Sequence, residues 1–335
     1  MMTSKERVHA AVEFSGPDKI PFIPCYLPAS LKHYEGLAAL LEKYPSDIAG
    51  DGNLGLDNPL YKKGQWIDEW HCEWTVLRDG ILGQVTGHPL ADDKALDSYI
   101  WPNAMDLDIS EDIIATQYAA EKYVRVGWVT FFERMVDLRG FEQAMIDIGS
   151  ESTVFMEIKE KIFQYNMTLI DRLTALDADC VAFADDWGSQ LNMMINPKAW
   201  EKHFLPAYKE QFSKVKNAGM HVYFHTDGYT MPILPMLADA GVDIFWADMT
   251  VNPPEELASL LGGKVCFQAL TDVQFAMVNS SPDEVRAYAK RLMKLFGDFK
   301  GGLIGCSEVD PDQPWENVVA MYETLNECGA YPLQK

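Results

Sequence analysis

From residue 121 onward, short runs rich in β-branched and aromatic residues alternate with longer amphipathic segments. This alternation is typical of βαβ units that build a parallel sheet. The predicted strands are Tyr123–Val129, Cys180–Ala184, His221–His225, Val242–Ala247, Val265–Leu270 and Leu303–Cys306. The predicted helices between them are Thr153–Leu176, Pro197–Asn217, Pro232–Ala240, Pro254–Leu261 and Pro282–Phe296. Several helices start with proline, which the first helical turn tolerates because an N–H group there has no intrahelical partner.

The N-terminal third of the chain adds elements of both kinds. A helix is predicted within the first 20 residues, with Thr3 or Ser4 as its cap and Glu6 in its first turn. The run Ile20–Cys25 reads as a short strand, and its prolines favour a first or edge position. Residues 64–102 predict a β-hairpin excursion followed by a short helix over Asp92–Tyr99.

With one further strand the pattern supplies eight strands, so we predict a (β/α)8 TIM barrel. It would carry an N-terminal extension and the β-hairpin excursion. A doubly wound open sheet is the alternative, but neither a GxGxxG motif nor a P-loop supports its nucleotide-binding form. The chain has 335 residues and shows no linker or repeat, so a single domain over residues 1–335 is expected.

The net charge of the chain limits the classes of partner that it is expected to bind. The 28 Lys and Arg residues against 50 Asp and Glu residues give a net charge of −22. Nucleic acid and anionic membranes attract positive surfaces, so neither is expected as a partner. The sequence has no apolar run near the ~18–20 residues that span a bilayer. Its charged N-terminus and six scattered cysteines predict a cytoplasmic protein with reduced thiols. Oligomerisation is compatible with the sequence.

Chemically active side chains follow most of the predicted strands, where a TIM barrel places its active site. We take Asp185 and Asp186 as candidate catalytic residues and Glu133, Trp187 and Asp248 as candidate substrate-binding residues. Two adjacent carboxylates would repel each other, which raises a pKa and suits proton transfer. Equally, the Asp pair followed by Trp and Gly would serve to cap the next helix.

A second pattern indicates a metal site. His225 and Asp227 are two residues apart at a strand end, so their side chains point the same way on an extended backbone. Cys306 and Glu308 repeat that spacing on the last strand. Imidazole, thiolate and carboxylate groups together suit zinc with an open position. Taken alone, the short His-x-Asp pattern favours a plain turn at Asp227 with a hydrogen-bonded core histidine.

Landmarks along nearly the whole chain resemble the uroporphyrinogen decarboxylase superfamily. They are Lys5-Glu6-Arg7, Pro17-Asp18-Lys19-Ile20-Pro21, Asp68-Glu69-Trp70, Gly87-His88-Pro89-Leu90, Leu138-Arg139-Gly140, Asp185-Asp186-Trp187-Gly188, His225-Thr226-Asp227-Gly228, Pro282-Asp283-Glu284-Val285 and Pro311-Asp312-Gln313-Pro314-Trp315-Glu316-Asn317-Val318. The resemblance implies a (β/α)8 barrel with a deep cleft at the carboxyl ends of the strands. The decarboxylases carry an RQAGR-like segment after the first strand, whereas residues 25–32 contain no arginine. An acidic, arginine-poor pocket binds a polyanionic porphyrinogen badly.

The other branch of the superfamily contains methyltransferases that use zinc and exchange methyl groups with a corrinoid protein. Their zinc is held by a His-x-Cys pair and a later Cys, and this chain resembles them with Asp227 replacing the first Cys. Carboxylate in place of thiolate makes the zinc harder, which favours polarising an ether oxygen. The resemblance thus implies zinc on His225, Asp227 and Cys306, with Glu308 as an additional or alternative ligand. It also implies a corrinoid protein as partner and a small methylated donor such as an aryl methyl ether.

The sequence is therefore compatible with three functions. The first is this zinc-assisted, corrinoid-dependent methyltransferase, acting by O-demethylation of its donor. The second is a cofactor-free lyase like the decarboxylases, against which the missing arginine segment counts. The third is a noncatalytic ligand-binding barrel, since a fold alone does not fix a function.

Overall fold

The computed structural model describes residues 1–50, 58–269 and 272–333. Its strands are β1 (Phe22–Tyr26), β2 (Ile48–Ala49), β3 (Gly64–Ile67), β4 (Glu73–Val76), β5 (Gln84–Gly87), β6 (Tyr123–Val129), β7 (Cys180–Ala184), β8 (His221–Thr226), β9 (Ile244–Ala247), β10 (Cys266–Ala269) and β11 (Leu303–Val309). Its α-helices are α1 (Ser4–Val12), α2 (Pro28–His33), α3 (Leu37–Lys43), α4 (Ser110–Ala115), α5 (Phe132–Arg139), α6 (Phe141–Ser150), α7 (Thr153–Leu173), α8 (Pro197–His203), α9 (Leu205–Asn217), α10 (Leu234–Ala240), α11 (Pro254–Leu261), α12 (Ala276–Asn279), α13 (Pro282–Gly297) and α14 (Trp315–Glu327).

Eight of these strands form one sheet in the order β1-β11-β10-β9-β8-β7-β6-β2, and each neighbouring pair in its register is parallel. The two end strands of this order are β1 and β2, and they meet where Phe22 of β1 contacts Asp47, the residue before β2. There Asp47 N–H donates to Phe22 O at 2.8 Å, and Phe22 N–H donates to the Asp47 carboxylate at 2.9 Å. The sheet thus closes, and the predicted (β/α)8 TIM barrel is confirmed.

The excursion predicted within residues 64–102 is an antiparallel sheet in the order β3-β4-β5. The helix expected over Asp92–Tyr99 is a 3-10 helix over Asp93–Ser98. The first helix begins as expected: Thr3 caps α1 and forms a capping box with Glu6.

Several predicted boundaries differ from those in the structure, such as the end of α7 at Leu173 rather than Leu176. Two of the differences change the description of the fold. Pro197–Asn217 is not one helix, because α8 ends and α9 begins around Phe204. Pro206 in the first turn of α9 has no N–H group to continue the hydrogen-bonding of α8. The last strand runs to Val309 rather than to Cys306, so it carries Glu308 within it. Leu270, the predicted end of β10, lies outside the described residues.

The barrel interior is a separate apolar cluster inside the ring of strands. Alternate strand residues face inward, including Ile23, Tyr123, Tyr223, Trp246 and Cys306. Val8 and Val12 of α1 join the same cluster, so this helix seals the amino-terminal end of the barrel. The carboxyl ends of the strands lie at the opposite end, where a TIM barrel places its active site. No helix among the described residues is long and apolar enough to cross a membrane.

Candidate functional site

The loops that follow β7 and β8 are joined by hydrogen bonds of the backbone and of one side chain. Gly188 N–H donates to Asp227 O at 3.1 Å, and Asp227 N–H donates to Asp186 Oδ1 at 2.8 Å. Gly228 has a φ of +73°, and a Cβ atom placed on it would lie 2.2 Å from the carbonyl carbon of Gly188. Only glycine fits this approach, which explains the glycines in both motifs.

This junction brings three candidate ligands together. His225 Nε2 lies 3.6 Å from Asp186 Oδ1 and 3.7 Å from Asp227 Oδ2. One ligand atom from each of the three residues lies within 4.8 Å of the other two. His225 Nδ1 is buried and has no hydrogen-bond partner among the described residues. Imidazole with two carboxylates is a donor set that fits a divalent metal such as zinc.

The three groups influence one another's protonation. Burial alone would lower the pKa of His225, but its interaction with Asp227 and the charge of Asp186 raise it. Burial alone would raise the pKa of Asp227, but the interaction with His225 lowers it. Burial raises the pKa of Asp186, and the charge of Asp227 adds to that effect. The site therefore concentrates negative charge around one imidazole.

Asp185, the neighbour of Asp186, has a different role in the structure. Its side chain is fully buried. It accepts the N–H groups of Phe131 at 3.0 Å and Glu133 at 2.8 Å, and the hydroxyl of Tyr208 at 2.5 Å. Burial raises its pKa to about 7. Asp185 thus caps a helix, as the alternative interpretation held, but the helix is the preceding α5 rather than the following one.

Glu133 and Asp248, two of the candidate substrate-binding residues, border this cluster. Burial, followed by the charges of Asp186 and Asp185, raises the pKa of Glu133 well above its ordinary value. Asp248 is buried and accepts the N–H of Thr250 at 2.8 Å. Burial raises its pKa, with a smaller contribution from the charge of Asp227.

The structure corrects the prediction for Trp187. Its side chain is fully buried and stacks on Phe132 with ring centroids 4.2 Å apart. Its Nε1–H group donates to the Tyr208 hydroxyl at 3.2 Å. The indole therefore packs in the layer between β7 and the helices instead of facing a substrate. The sequence could not distinguish these two directions at a strand end.

The structure also divides the predicted metal ligands. Cys306 Sγ is buried in the barrel interior, 3.3 Å from Cys25 Sγ and 3.7 Å from Gln268 Nε2. Within the part of the chain that the structure describes, the three-ligand group contains neither Cys306 nor Glu308. Glu308 nevertheless lies near this group at the carboxyl ends of the strands, the mouth of the barrel, because the charges of Asp227 and His225 act on its carboxyl group. Burial raises its pKa to about 7, with contributions from Asp310 and Asp227.

Sequence reasoning missed three neighbours of the cluster. Trp128, on β6, keeps 53% of its surface exposed, and its ring lies 5.4 Å from that of His225. Trp246 packs against His225 edge to face at 5.0 Å. Arg125 is buried deeper in the barrel. Its Cζ atom lies 3.7 Å from the centroid of the Tyr223 ring, and its Nη1 atom donates to Gln268 Oε1 at 2.9 Å. The inward alternation of β6 and β9 was the available signal for Arg125 and Trp246. Trp128 does not follow it, because the register of β6 shifts between Val126 and Val129.

Comparison with known proteins identifies the family. The uroporphyrinogen decarboxylase (URO-D) family model matches residues 126–328. The chain belongs to this family. The match contains β7, β8 and both joined loops, and so the complete three-ligand group of this URO-D member.

Solved structures support the fold. A methyltransferase from Methanosarcina mazei superimposes with a TM-score of 0.74 at 17% sequence identity, covering 98% of this chain and 99% of that one. A mannanase from Bacillus subtilis superimposes with a TM-score of 0.50 at 10% identity, covering 100% and 99%. At such identities the likeness establishes the barrel alone. The search of curated proteins found no match.

Proposed function

We propose that this URO-D family member is a methyltransferase that passes a methyl group from a small methylated donor to the cobalt of a partner corrinoid protein. The observation that carries the proposal is the group formed by Asp186, His225 and Asp227 at the carboxyl ends of the strands. The direction of His225 supports a ligand there, because its Nε2 atom faces both carboxylates, 3.6 Å from Asp186 Oδ1 and 3.7 Å from Asp227 Oδ2.

Zinc is the proposed metal, held by His225, Asp227 and Asp186. Bound there, it would supply Lewis acidity toward the oxygen of the donor. Carboxylate ligands suit this role better than thiolates, because they leave the metal harder. Asp186 replaces Cys306 in the ligand set that we propose, because Asp186 lies within the group and the Cys306 thiol contacts Cys25.

Trp128 supports an aromatic donor such as an aryl methyl ether. Its indole is half exposed beside the His225 ring, at the open end of the barrel. An aromatic ring stacked on this face would gain both apolar burial and a favourable ring geometry. The methoxy group of that ring would then lie near the proposed ligand group.

Glu133 is the proposed source of the proton for the leaving oxygen. Its pKa stands well above the ordinary value because the side chain is buried near the charges of Asp186 and Asp185. A carboxyl group whose pKa is raised by burial is better suited to general acid catalysis than an ordinary carboxyl group. Asp185 acts through position only, since it fixes the backbone at Phe131 and Glu133.

Decarboxylation of a polyanion, the activity in the family's name, has less support. Arg134 is paired with Asp68 at 2.8 Å, and Arg139 is paired with Asp147 at 2.6 Å. Neither is available to neutralise a carboxylate-rich substrate. The acidic side chains at the mouth repel such a substrate. They include Asp186, Asp227, Glu133 and Glu308.

The test is an anaerobic assay of the purified, zinc-loaded protein with cob(I)alamin and a panel of methoxyaromatic compounds. We expect methylcobalamin and the matching phenol to form. The absorption spectrum of methylcobalamin monitors the reaction. Release of carbon dioxide from a porphyrinogen without metal would instead establish the lyase. Tight donor binding without any product would establish a noncatalytic barrel.

A further inference from the structure

A second cluster of metal-ligating side chains lies at the opposite, amino-terminal end of the barrel. It combines His9 on α1, Glu13 directly after that helix, and His221 at the start of β8. Glu13 Oε1 lies 3.1 Å from His9 Nδ1 and 3.6 Å from His221 Nε2. One ligand atom from each residue lies within 4.8 Å of the other two.

We propose that this cluster binds a divalent metal ion, zinc by its donor set, which fastens α1 to the floor of the barrel. Two imidazoles and one carboxylate form a recurrent zinc-binding set. With metal–ligand bonds of about 2.0–2.2 Å, the ligand atoms of a tetrahedral zinc are about 3.4 Å apart. The two separations from Glu13 Oε1 lie on either side of that value.

Both imidazoles are held by a second partner that leaves the correct nitrogen facing Glu13. His9 Nε2 lies 2.9 Å from Asp179 Oδ1, and His221 Nδ1 lies 2.8 Å from the hydroxyl of Tyr123. Such outer partners orient metal-binding histidines and select the tautomer. Asp179 is itself fixed, because Lys5 Nζ lies 3.0 Å from it and Val124 N–H donates to it at 2.9 Å.

An ordinary helix ion pair between His9 and Glu13 accounts for only part of this arrangement. The spacing i, i+4 on a helix brings those two side chains together without a metal. It does not account for His221, whose Nε2 atom points to the same Glu13 oxygen from another element. Three ligand atoms from α1, its end and β8 therefore converge on one point.

There is space for a fourth ligand on the solvent side. Glu13 keeps 54% of its side chain exposed, and His9 and Glu13 line a surface cavity of about 540 Å³ together with Glu6. A water molecule can complete the coordination there. Since α1 also supplies Val8 and Val12 to the barrel interior, a metal at this point would hold the helix in its sealing position.

The experiment is a zinc titration in a His225→Ala background, which removes the proposed mouth site. We expect one zinc per chain in this background, and at least a tenfold weaker affinity when Glu13→Gln is added. Glu42→Gln, a change at another exposed glutamate, is the matched control and should leave the affinity unchanged. Hydrogen exchange gives an independent readout: zinc should slow exchange of the α1 amides at least tenfold, and Glu13→Gln should abolish that slowing.

Failure to bind zinc in the His225→Ala background would overturn this proposal, as would equal affinity with and without Glu13→Gln. Circular dichroism of each variant shows whether it is folded. Glu13 is half exposed at the end of its helix, so its amide variant is expected to fold. The result is independent of the proposed methyltransferase activity, because no methyl donor or corrinoid enters the experiment.

Discussion

Asp186 Oδ1 lies 3.6 Å from His225 Nε2 while it accepts the backbone N–H of Asp227 at 2.8 Å. One carboxylate thus fixes the loop after β8 and faces the imidazole on that strand. The two residues come from neighbouring strands whose register pairs Ala184 with His225. Parallel pairing therefore converts two separate sequence motifs into one site.

Asp186→Asn and Asp185→Asn should affect different properties, although the residues are adjacent: the first should weaken zinc binding and the second should lower stability. Asparagine at 186 keeps an oxygen for the Asp227 N–H but loses the charge, so zinc affinity at the mouth should fall at least tenfold with little change in stability. Asparagine at 185 should lower the free energy of unfolding by about 1–3 kcal/mol, because several buried donors would share one acceptor oxygen. Zinc titration and urea unfolding of both variants measure this, and equal zinc affinity in Asp186→Asn would refute the role of that residue.

Cys306→Ser should leave the zinc content of the mouth site unchanged. The thiol contacts Cys25 and Gln268 in the barrel interior, and the ligand group forms without it. Metal analysis of this variant in a Glu13→Gln background, which weakens the second proposed site, provides the measurement. Loss of zinc would restore Cys306 to the ligand set that the sequence predicted.

Gly228→Ala should destabilise the protein and disrupt the site. The residue has a φ of +73°, and its new Cβ atom would overlap the Gly188 backbone. Strain at such a position typically costs about 1–3 kcal/mol, and the overlap adds to it. Gly149→Ala on α6 is the control, because nothing lies within 4 Å of its Cβ position. Thermal unfolding should show a lower Tm for the first variant only.

The stability of the protein should depend on pH through Asp137, which lies one turn after Glu133 on α5. Burial raises its pKa from 3.8 to about 6, although Arg134 lies 3.6 Å away and opposes the shift. Between these values the folded protein binds more protons than the unfolded chain, so this residue makes stability fall as the pH rises from about 4 to 6. Asp137→Asn removes this contribution of up to about 3 kcal/mol.

Urea unfolding of wild type and Asp137→Asn at pH 4, 5, 6 and 7 measures the difference. The stability of the variant relative to wild type should rise across the interval and level off above pH 6. A difference that stays constant with pH would show that burial does not perturb this carboxyl group.

The elements that the sequence predicted best were those bounded by clear breaks in the hydrophobic pattern. Tyr123–Val129 and Cys180–Ala184 match β6 and β7 residue for residue. In contrast, β2 has only two residues, which is too short for any periodicity to appear. The division between α8 and α9 depends on a single proline within an otherwise continuous helical pattern.

The site was harder to predict than the fold, because strand-end residues can turn inward, outward or into the sheet. The sequence predicted that His225 and Asp227 point the same way, and Nε2 of the first lies 3.7 Å from Oδ2 of the second. Trp187 was assigned to the pocket although its ring packs against Phe132, and Trp128 was passed over because its run reads as core. Separating Asp185 from Asp186 required the backbone donors of α5, which no sequence pattern reveals.

Methylcobalamin formation by wild type and His225→Ala is the most direct test of the proposed activity. Both proteins would be mixed anaerobically with equal zinc, cob(I)alamin and a methoxyaromatic donor that wild type accepts. We predict rapid conversion by wild type and a rate at least 100-fold lower for the variant, about 2.7 kcal/mol of lost transition-state stabilisation. Equal rates in the two proteins, or no conversion by wild type with any methylated donor, would contradict the account.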